Sequence, residues 1–185
     1  QPRLLAHPAS RVFTIEMWPG EGVPVFESLG TPLTLRTRPS PSAPVAGTAR
    51  VPAGERVTYD DTRYQTIAPA SIVTLAPATI EGRVLGPIRL LSRAQYYSDV
   101  YPNTVTTLPQ GARFEFLQYR AEGTCFVRVE GRVIEAEACP THDPELFRVT
   151  GEPVTRWWIH LPSAPGASGW LLVTERTIKL ADRTF

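Results

Sequence analysis

Cys125 and Cys139 are the two cysteines of a 185-residue chain, and His142 follows three residues after the second. C-x13-C-x2-H offers soft and borderline ligands, but a zinc site wants four donors at a recognisable spacing, and the fourth would fall to a residue such as Asp143. In an exported chain the same two thiols are read as a disulfide, and closing a loop of about 15 residues stabilises by roughly 3 kcal/mol. The pairing has a geometric condition. If Glu130-Gly131 is a two-residue turn, Cys125 faces Ala136 rather than Cys139, so the bond needs a longer turn or a strand that bends near Pro140. The reading taken is the disulfide, with no metal site.

The remaining chemistry-bearing types are sparse. His7 lies in a Pro-rich stretch, His142 precedes Asp143, and His160 alternates with Trp158 along an apolar run. No Ser or Cys in a strained elbow accompanies any of them, so a nucleophilic triad is not expected. Glu135 and Glu137 share a strand face and Asp60-Asp61 follows a strand, but acid–base work needs facing carboxylates in unlike environments. Solvated faces and turns account for these acids. No Gly-rich phosphate loop stands between a strand and a helix. Arg36, Arg38, Arg50 and Arg56 cluster without interleaved aromatics, which is not a nucleic-acid face. The chain is read as non-enzymatic and without a cofactor.

Aromatic side chains are the strongest binding signal. Tyr96, Tyr97 and Tyr101 crowd one loop, and Trp157, Trp158 and Trp170 fall in the tail. Aromatics with a polar handle suit interaction surfaces. Trp157 and Trp158 are neighbours on an alternating run, so they point to opposite faces. One of them is expected in the core and the other outside, covered or in an interface.

Formal net charge is +1, so no global field draws in nucleic acid or an anionic membrane. Nineteen prolines are about double the usual share, which disfavours long helices. Residue 1 is Gln, read as a mature chain whose signal peptide is gone, hence periplasmic or extracellular. No run approaches the 18 apolar residues of a membrane helix.

These side chains must be carried by β structure. At a constant offset of 57, Leu33 falls on Leu90, Arg36 on Arg93, Val51-Pro52 on Leu108-Pro109 and Gly54 on Gly111. The stretch EGRV occurs at 81–84 and again at 130–133, an offset of 49, and is read as closing each of two related units. VPAG and LPQG are turn signals, in which Pro presets φ and Gly supplies the left-handed position. RVTY and RFEFLQY follow as strands, and TCFVRVEGRVIEAEA as a hairpin. RWWIHL (156–161) and WLLV (170–173) make a further hairpin across a Pro/Gly/Ser loop. It is either a shortened third unit or the closing hairpin of the second, the latter being preferred. Phe13, Ile15 and Met17 alternate as one short strand in an N-terminal arm, and SRAQYY (92–97) has room for one helical turn.

Leu33-Thr34-Leu35-Arg36, the loop Pro39-Ser40-Pro41-Ser42, Gly47-Thr48 before Pro52-Ala53-Gly54, and Trp157-Trp158-Ile159 with Gly169-Trp170-Leu171 together resemble the bacterial SH3-like (SH3b) family. Leu108-Pro109-Gln110-Gly111 and Gly123-Thr124-Cys125-Phe126 repeat part of the pattern. The first unit departs from it in lacking the hairpin Trp. The resemblance implies an all-β chain of tandem small SH3-like barrels: an arm over 1–30, a first unit over 31–86, and a second unit over 87–185 with an inserted or appended hairpin. It further implies an exported interaction protein. The expected role is an accessory or structural subunit docking to a protein partner in an envelope or membrane complex. The alternative is a cell-wall peptide or glycan binder, with a hydrolase a distant third.

Overall fold

The computed structural model describes residues 12–86, 90–91, 103–164 and 166–184, and it is all-β. In chain order the strands are β1 (Phe13–Ile15), β2 (Val23–Ser28), β3 (Leu33–Arg36), β4 (Val45–Ala49), β5 (Arg56–Val57) and β6 (Asp61–Ala68). Then come β7 (Ala70–Thr74), β8 (Ala78–Gly86), β9 (Leu90–Leu91), β10 (Asn103–Leu108), β11 (Arg113–Tyr119), β12 (Cys125–Val129) and β13 (Arg132–Ala136). A 3-10 turn over Pro140–His142 precedes β14 (Phe147–Thr150), β15 (Val154–Ala164), β16 (Ala167–Leu172) and β17 (Ile178–Thr184). Tyr96, Tyr97 and Tyr101, and the turn expected at 92–97, lie outside the described residues.

Strand alternation is visible directly in the burial. β7, Ala-Ser-Ile-Val-Thr, buries Ala70, Ile72 and Thr74, and β3 buries Leu33 and Leu35. These inward rows drive sheet formation through apolar burial, while the outward rows carry Ser71 and Val73 in β7 and Thr34 and Arg36 in β3.

One strand order occurs twice. One sheet runs β10-β8-β13-β12-β11-β7-β14. In the remainder, β4-β3-β16-β15-β6 belongs to a second sheet, and β5-β2-β17 forms a third, with β5 and β6 parted only by residues 58–60. Taking β5 and β6 as one interrupted strand, the second series is β4-β3-β16-β15-β6/β5-β2-β17, which matches the first position for position. Local bonding agrees. Gly54 N–H donates to Ser28 O and Gly111 N–H to Thr74 O, each at 2.9 Å. Ser28 Oγ donates to Val51 O, and Thr74 Oγ1 to Pro109 O. Leu29 N–H donates to Thr177 O as Leu75 N–H does to Leu146 O.

The arrangement differs from the sequence reading in three ways. The sheets are open and none closes into a barrel: β4 and β10 end their sheets, and neither pairs with β17 or β14. The hairpin β15–β16, grouped in sequence with the second unit, pairs with β6 and β3 instead. It brings Trp157 and Trp158 to the strands that lacked a hairpin Trp. The two EGRV copies do not end two units. The first lies within β8 and the second forms the turn before β13, and these strands are neighbours, with Gly82 opposite Ala136. A Cβ at Gly82 would fall on the Glu135 backbone, so the close strand approach explains this glycine. By strand pairing Leu33 corresponds to Ile80 rather than Leu90, since Leu33 faces Ala49 and Ile80 faces Thr106.

Three apolar clusters follow. One is enclosed by the seven strands β7, β8 and β10–β14, around Ile72, Phe114, Phe116, Val127 and Ile134. Another lies between the sheet holding β15 and the three-stranded sheet, around Phe26, Leu33, Leu35, Ile159 and Leu171. Phe13 and Ile15 of β1 join the two halves, packing with Leu85, Leu117, Phe126 and Val133. Thr66 Oγ1 adds a bond across this layer to Leu117 O at 3.0 Å.

The disulfide expected between Cys125 and Cys139 is present, with Cα atoms 5.3 Å apart. Cys125 does face Ala136 in the ladder. β13 stops at Ala136, the chain bends, and Cys139 N–H bonds Gly123 O at 2.8 Å just before Pro140. The bend therefore meets the geometric condition, and both cysteines are buried in the first cluster.

Candidate functional site

β15 sits between β6 and β16, and its alternation separates the tryptophans. Trp157, Ile159 and Leu161 turn to the apolar cluster shared with β2 and β3, where the Trp157 ring meets Phe26 edge-on at 5.1 Å. Its Nε1–H donates to Thr62 Oγ1 at 2.8 Å. Trp158 takes the other face but is only 1% exposed. Its Nε1–H donates to Gln65 Oε1, and Gln65 Nε2 donates to Pro39 O in the β3–β4 loop. That loop brings a polar cover to Trp158. Trp157 thus packs on the core cluster, and Trp158, on the opposite face, is covered.

Trp170 is the tryptophan of the hairpin left partly open on that outer face. Strand register places it in a row: Asp61 opposite His160, His160 opposite Trp170, Trp170 opposite Arg36. The Arg63 guanidinium lies over the Trp170 ring, 5.0 Å from its centroid, and the His160 ring lies 5.2 Å away. A guanidinium above an indole is held by the ring quadrupole. Arg63 also bonds Asp61 Oδ1 and, at 3.0 Å through its other terminal nitrogen, Glu16 Oε1. His160 Nδ1 is 2.7 Å from Asp60 Oδ1, and Asp60 N–H donates to His160 O at 3.1 Å.

Beside this row, where β5 stops and β6 begins, an open cleft of about 440 Å³ is lined by Glu16, Trp18, Phe26, Tyr59, Asp60 and Asp61, among others. It exists because β2 pairs with β5 only at Phe26 and Glu27, so Val23–Val25 part from residues 58–60. Tyr59 spans the gap, its hydroxyl donating to Pro24 O at 2.7 Å and its ring meeting Phe26 edge-on. Trp18 also borders a smaller cavity of about 230 Å³ with Met17, Glu21, Tyr119 and Arg120.

The row and the cleft bring aromatic rings, carboxylates and a guanidinium together. Asp60 orients His160, but no Ser or Cys is bonded to that ring, and no group of three His, Cys, Asp or Glu residues with metal-holding geometry occurs among the described residues. His142, which only the disfavoured zinc alternative would have used, stacks on Tyr119, and the two thiols are joined in their disulfide.

A second charged locus lies on the far sheet. Arg120 and Glu135 approach to 3.5 Å. Burial pushes the Glu135 carboxyl above its ordinary value, against the pull of Arg120 and Arg83. Burial likewise lowers Arg120, opposed first by Glu135. Gln118 of β11 lies across Phe126 from Glu135 in the ladder, and both polar atoms of its side chain are buried without a hydrogen bond.

Of the aromatics singled out in sequence as binding candidates and lying among the described residues, the structure brings Trp170 to this face in partly open form, beside Arg36, Asp61 and His160. Glu16, Trp18, Tyr59, Asp60 and Arg63 were missed as site residues. The available signals were the Trp158/His160 alternation and the Tyr59-Asp60-Asp61 run, but joining them required knowing that β6 pairs with β15. Comparison with protein-family models, curated proteins and solved structures finds no match.

Proposed function

We propose that the chain is a non-catalytic binding protein of an exported, disulfide-permitting compartment, acting as an accessory subunit that docks to a protein partner through the Trp170 face and the adjoining cleft. The observation that carries this reading is the partly open Trp170, held by Arg63 and His160 beside a cleft whose walls mix aromatics and carboxylates. Tryptophan and arginine held in one rigid arrangement are what interaction hot spots use. The buried disulfide is compatible with an oxidising compartment, and no helix among the described residues is long and apolar enough to cross a membrane. The doubled strand order and the hairpin seated against β3 support the SH3-like resemblance as a lineage reading.

A second reading is attachment to cell-wall peptide or glycan, favoured by the small volume and polar rim of the cleft. The test is mild extraction of the native envelope followed by sizing, in parallel with co-sedimentation on isolated wall, using the wild type and Trp170→Ala. Comigration with a stoichiometric protein complex that Trp170→Ala loses supports docking. Sedimentation with wall that the same substitution abolishes moves the assignment to the wall. A chain that does neither removes both.

A further inference from the structure

Resting on that reading, we infer that the cleft between β2 and the β5–β6 junction takes a basic side chain, a lysine ammonium or arginine guanidinium, presented by an extended segment of the protein partner. Three carboxylates reach its rim: Glu16, Asp60 and Asp61. Two of them share one cation, because Arg63 holds both Glu16 and Asp61 and is itself seated over Trp170. The third, Asp60, is paired with His160, its Oδ1 2.7 Å from the ring Nδ1. Arg56 is a cation of the lining itself, and Glu27, opposite it in the ladder, is 3.3 Å from Lys179. Three carboxylates against Arg56 and the adjoining Arg63 leave the rim a formal excess of one negative charge. An anionic group would meet three carboxylates, so phosphate, a free carboxylate or nucleic acid is disfavoured.

The walls suit the same occupant. Trp18 and Tyr59 bring aromatic surface to the opening, and an alkylammonium or guanidinium gains from a ring and a carboxylate together when partly desolvated. Tyr59 is fixed by its bond to Pro24 O, so the wall is formed before the ligand arrives. A polypeptide is the favoured source because the opening follows backbone. Val23–Val25 have no ladder partner toward residues 58–60 among the described residues. A chain lying along that gap would place one side chain into the cleft.

The test uses the full chain and four blocked tripeptides, acetyl-Gly-X-Gly-amide with X as Lys, Arg, Gln or Glu, followed by tryptophan fluorescence and by the indole N–H resonance of Trp18. The Lys and Arg probes are expected to bind at least about tenfold more tightly than Gln, and Glu not at all. Asp60→Asn/Asp61→Asn should remove that preference, and added salt should weaken it. Because Asp61→Asn also loosens Arg63, Asp60→Asn alone and Trp18→Leu are measured beside it, each after a thermal melt showing the fold intact. Equal binding of Lys and Gln probes, or a preference untouched by all three variants, overturns the inference. If the partner complex still comigrates with every cleft variant, the basic-side-chain inference falls while the docking reading stands. If nothing comigrates and no probe binds, both fall. Tighter capture by a wall peptide bearing a free amine than by the Lys probe keeps the cation site and overturns the protein source.

Discussion

Gly54 and Gly111 occupy the same place in two different sheets. Each has a left-handed backbone, φ +83° and +80°, and each donates its N–H at 2.9 Å to the last residue of a strand, Ser28 or Thr74. A Cβ at either position would meet nothing within 4 Å. The requirement for glycine is therefore conformational alone. Gly54→Val and Gly111→Val should each lower stability by about 1–2 kcal/mol, the cost of a left-handed L-residue. Asn, which tolerates that region, should cost less. Denaturant melts of the four variants check this, and a Val variant as stable as wild type would refute the turn geometry.

The Cys125–Cys139 bond lies in the apolar cluster, so mild reductant should reach it slowly. Thiol labelling of the native protein should count no free cysteine. Cys139→Ser should lower stability by about 2–5 kcal/mol, as for loss of a native disulfide in a small domain. Two labelled thiols in unreduced native protein would contradict the bond.

Trp158 and Trp170 should separate cleanly under substitution. Trp158 is buried and its ring N–H is bonded to Gln65, so Trp158→Ala should cost about 3–5 kcal/mol. Trp170 is partly open and held by Arg63, so Trp170→Ala should cost about 1 kcal/mol or less while removing binding. Urea midpoints read the first effect and partner capture reads the second. Equal destabilisation would place Trp170 in the core.

Glu135 should contribute a distinctive pH slope. Its folded pKa is raised by burial, so the folded state holds the proton more tightly than the unfolded chain. The stability from this group is complete below the unfolded value, near the ordinary glutamate range, and is lost as pH rises through the folded value. Glu135→Gln never ionises. The variant's melting temperature relative to wild type should therefore climb as pH rises above about 4.3. A flat difference from pH 4 to 7 would contradict the shift.

Local chemistry was legible in the chain and distant pairing was not. The two Pro-x-Gly turns, the hairpin at Glu130-Gly131 and the opposition of Cys125 to Ala136 rest on spacing within about twenty residues, and spacing carries them. The EGRV repeat misled because four-residue identity says nothing about which strands become neighbours. The seat of β15–β16 was hidden for a deeper reason. Its partners β3 and β6 lie about a hundred residues earlier, and an alternating apolar run fits any sheet with a free inward row. The same distance hid the site, since His160 and Asp60 meet only through that ladder.

Ala68 and Val154 are partners across β6 and β15, so the stretch from 69 to 153 leaves and rejoins that strand pair at one point, with β9 returning to the same sheet on the way, beside β1. This fixes a timetable during synthesis. β7 to β14 have all left the ribosome before β15 appears, and the sheet they build can form while the earlier strands still await completion. Its collapse draws Ala68 and residue 153 together, shortening the gap that β15 must close. β2 and β3 emerge among the first strands yet wait for β17 and β16, the last ones made. Trp170 belongs to that final segment. A translation product stopped short of it would keep the inner sheet and its disulfide, and would lose the face proposed to bind.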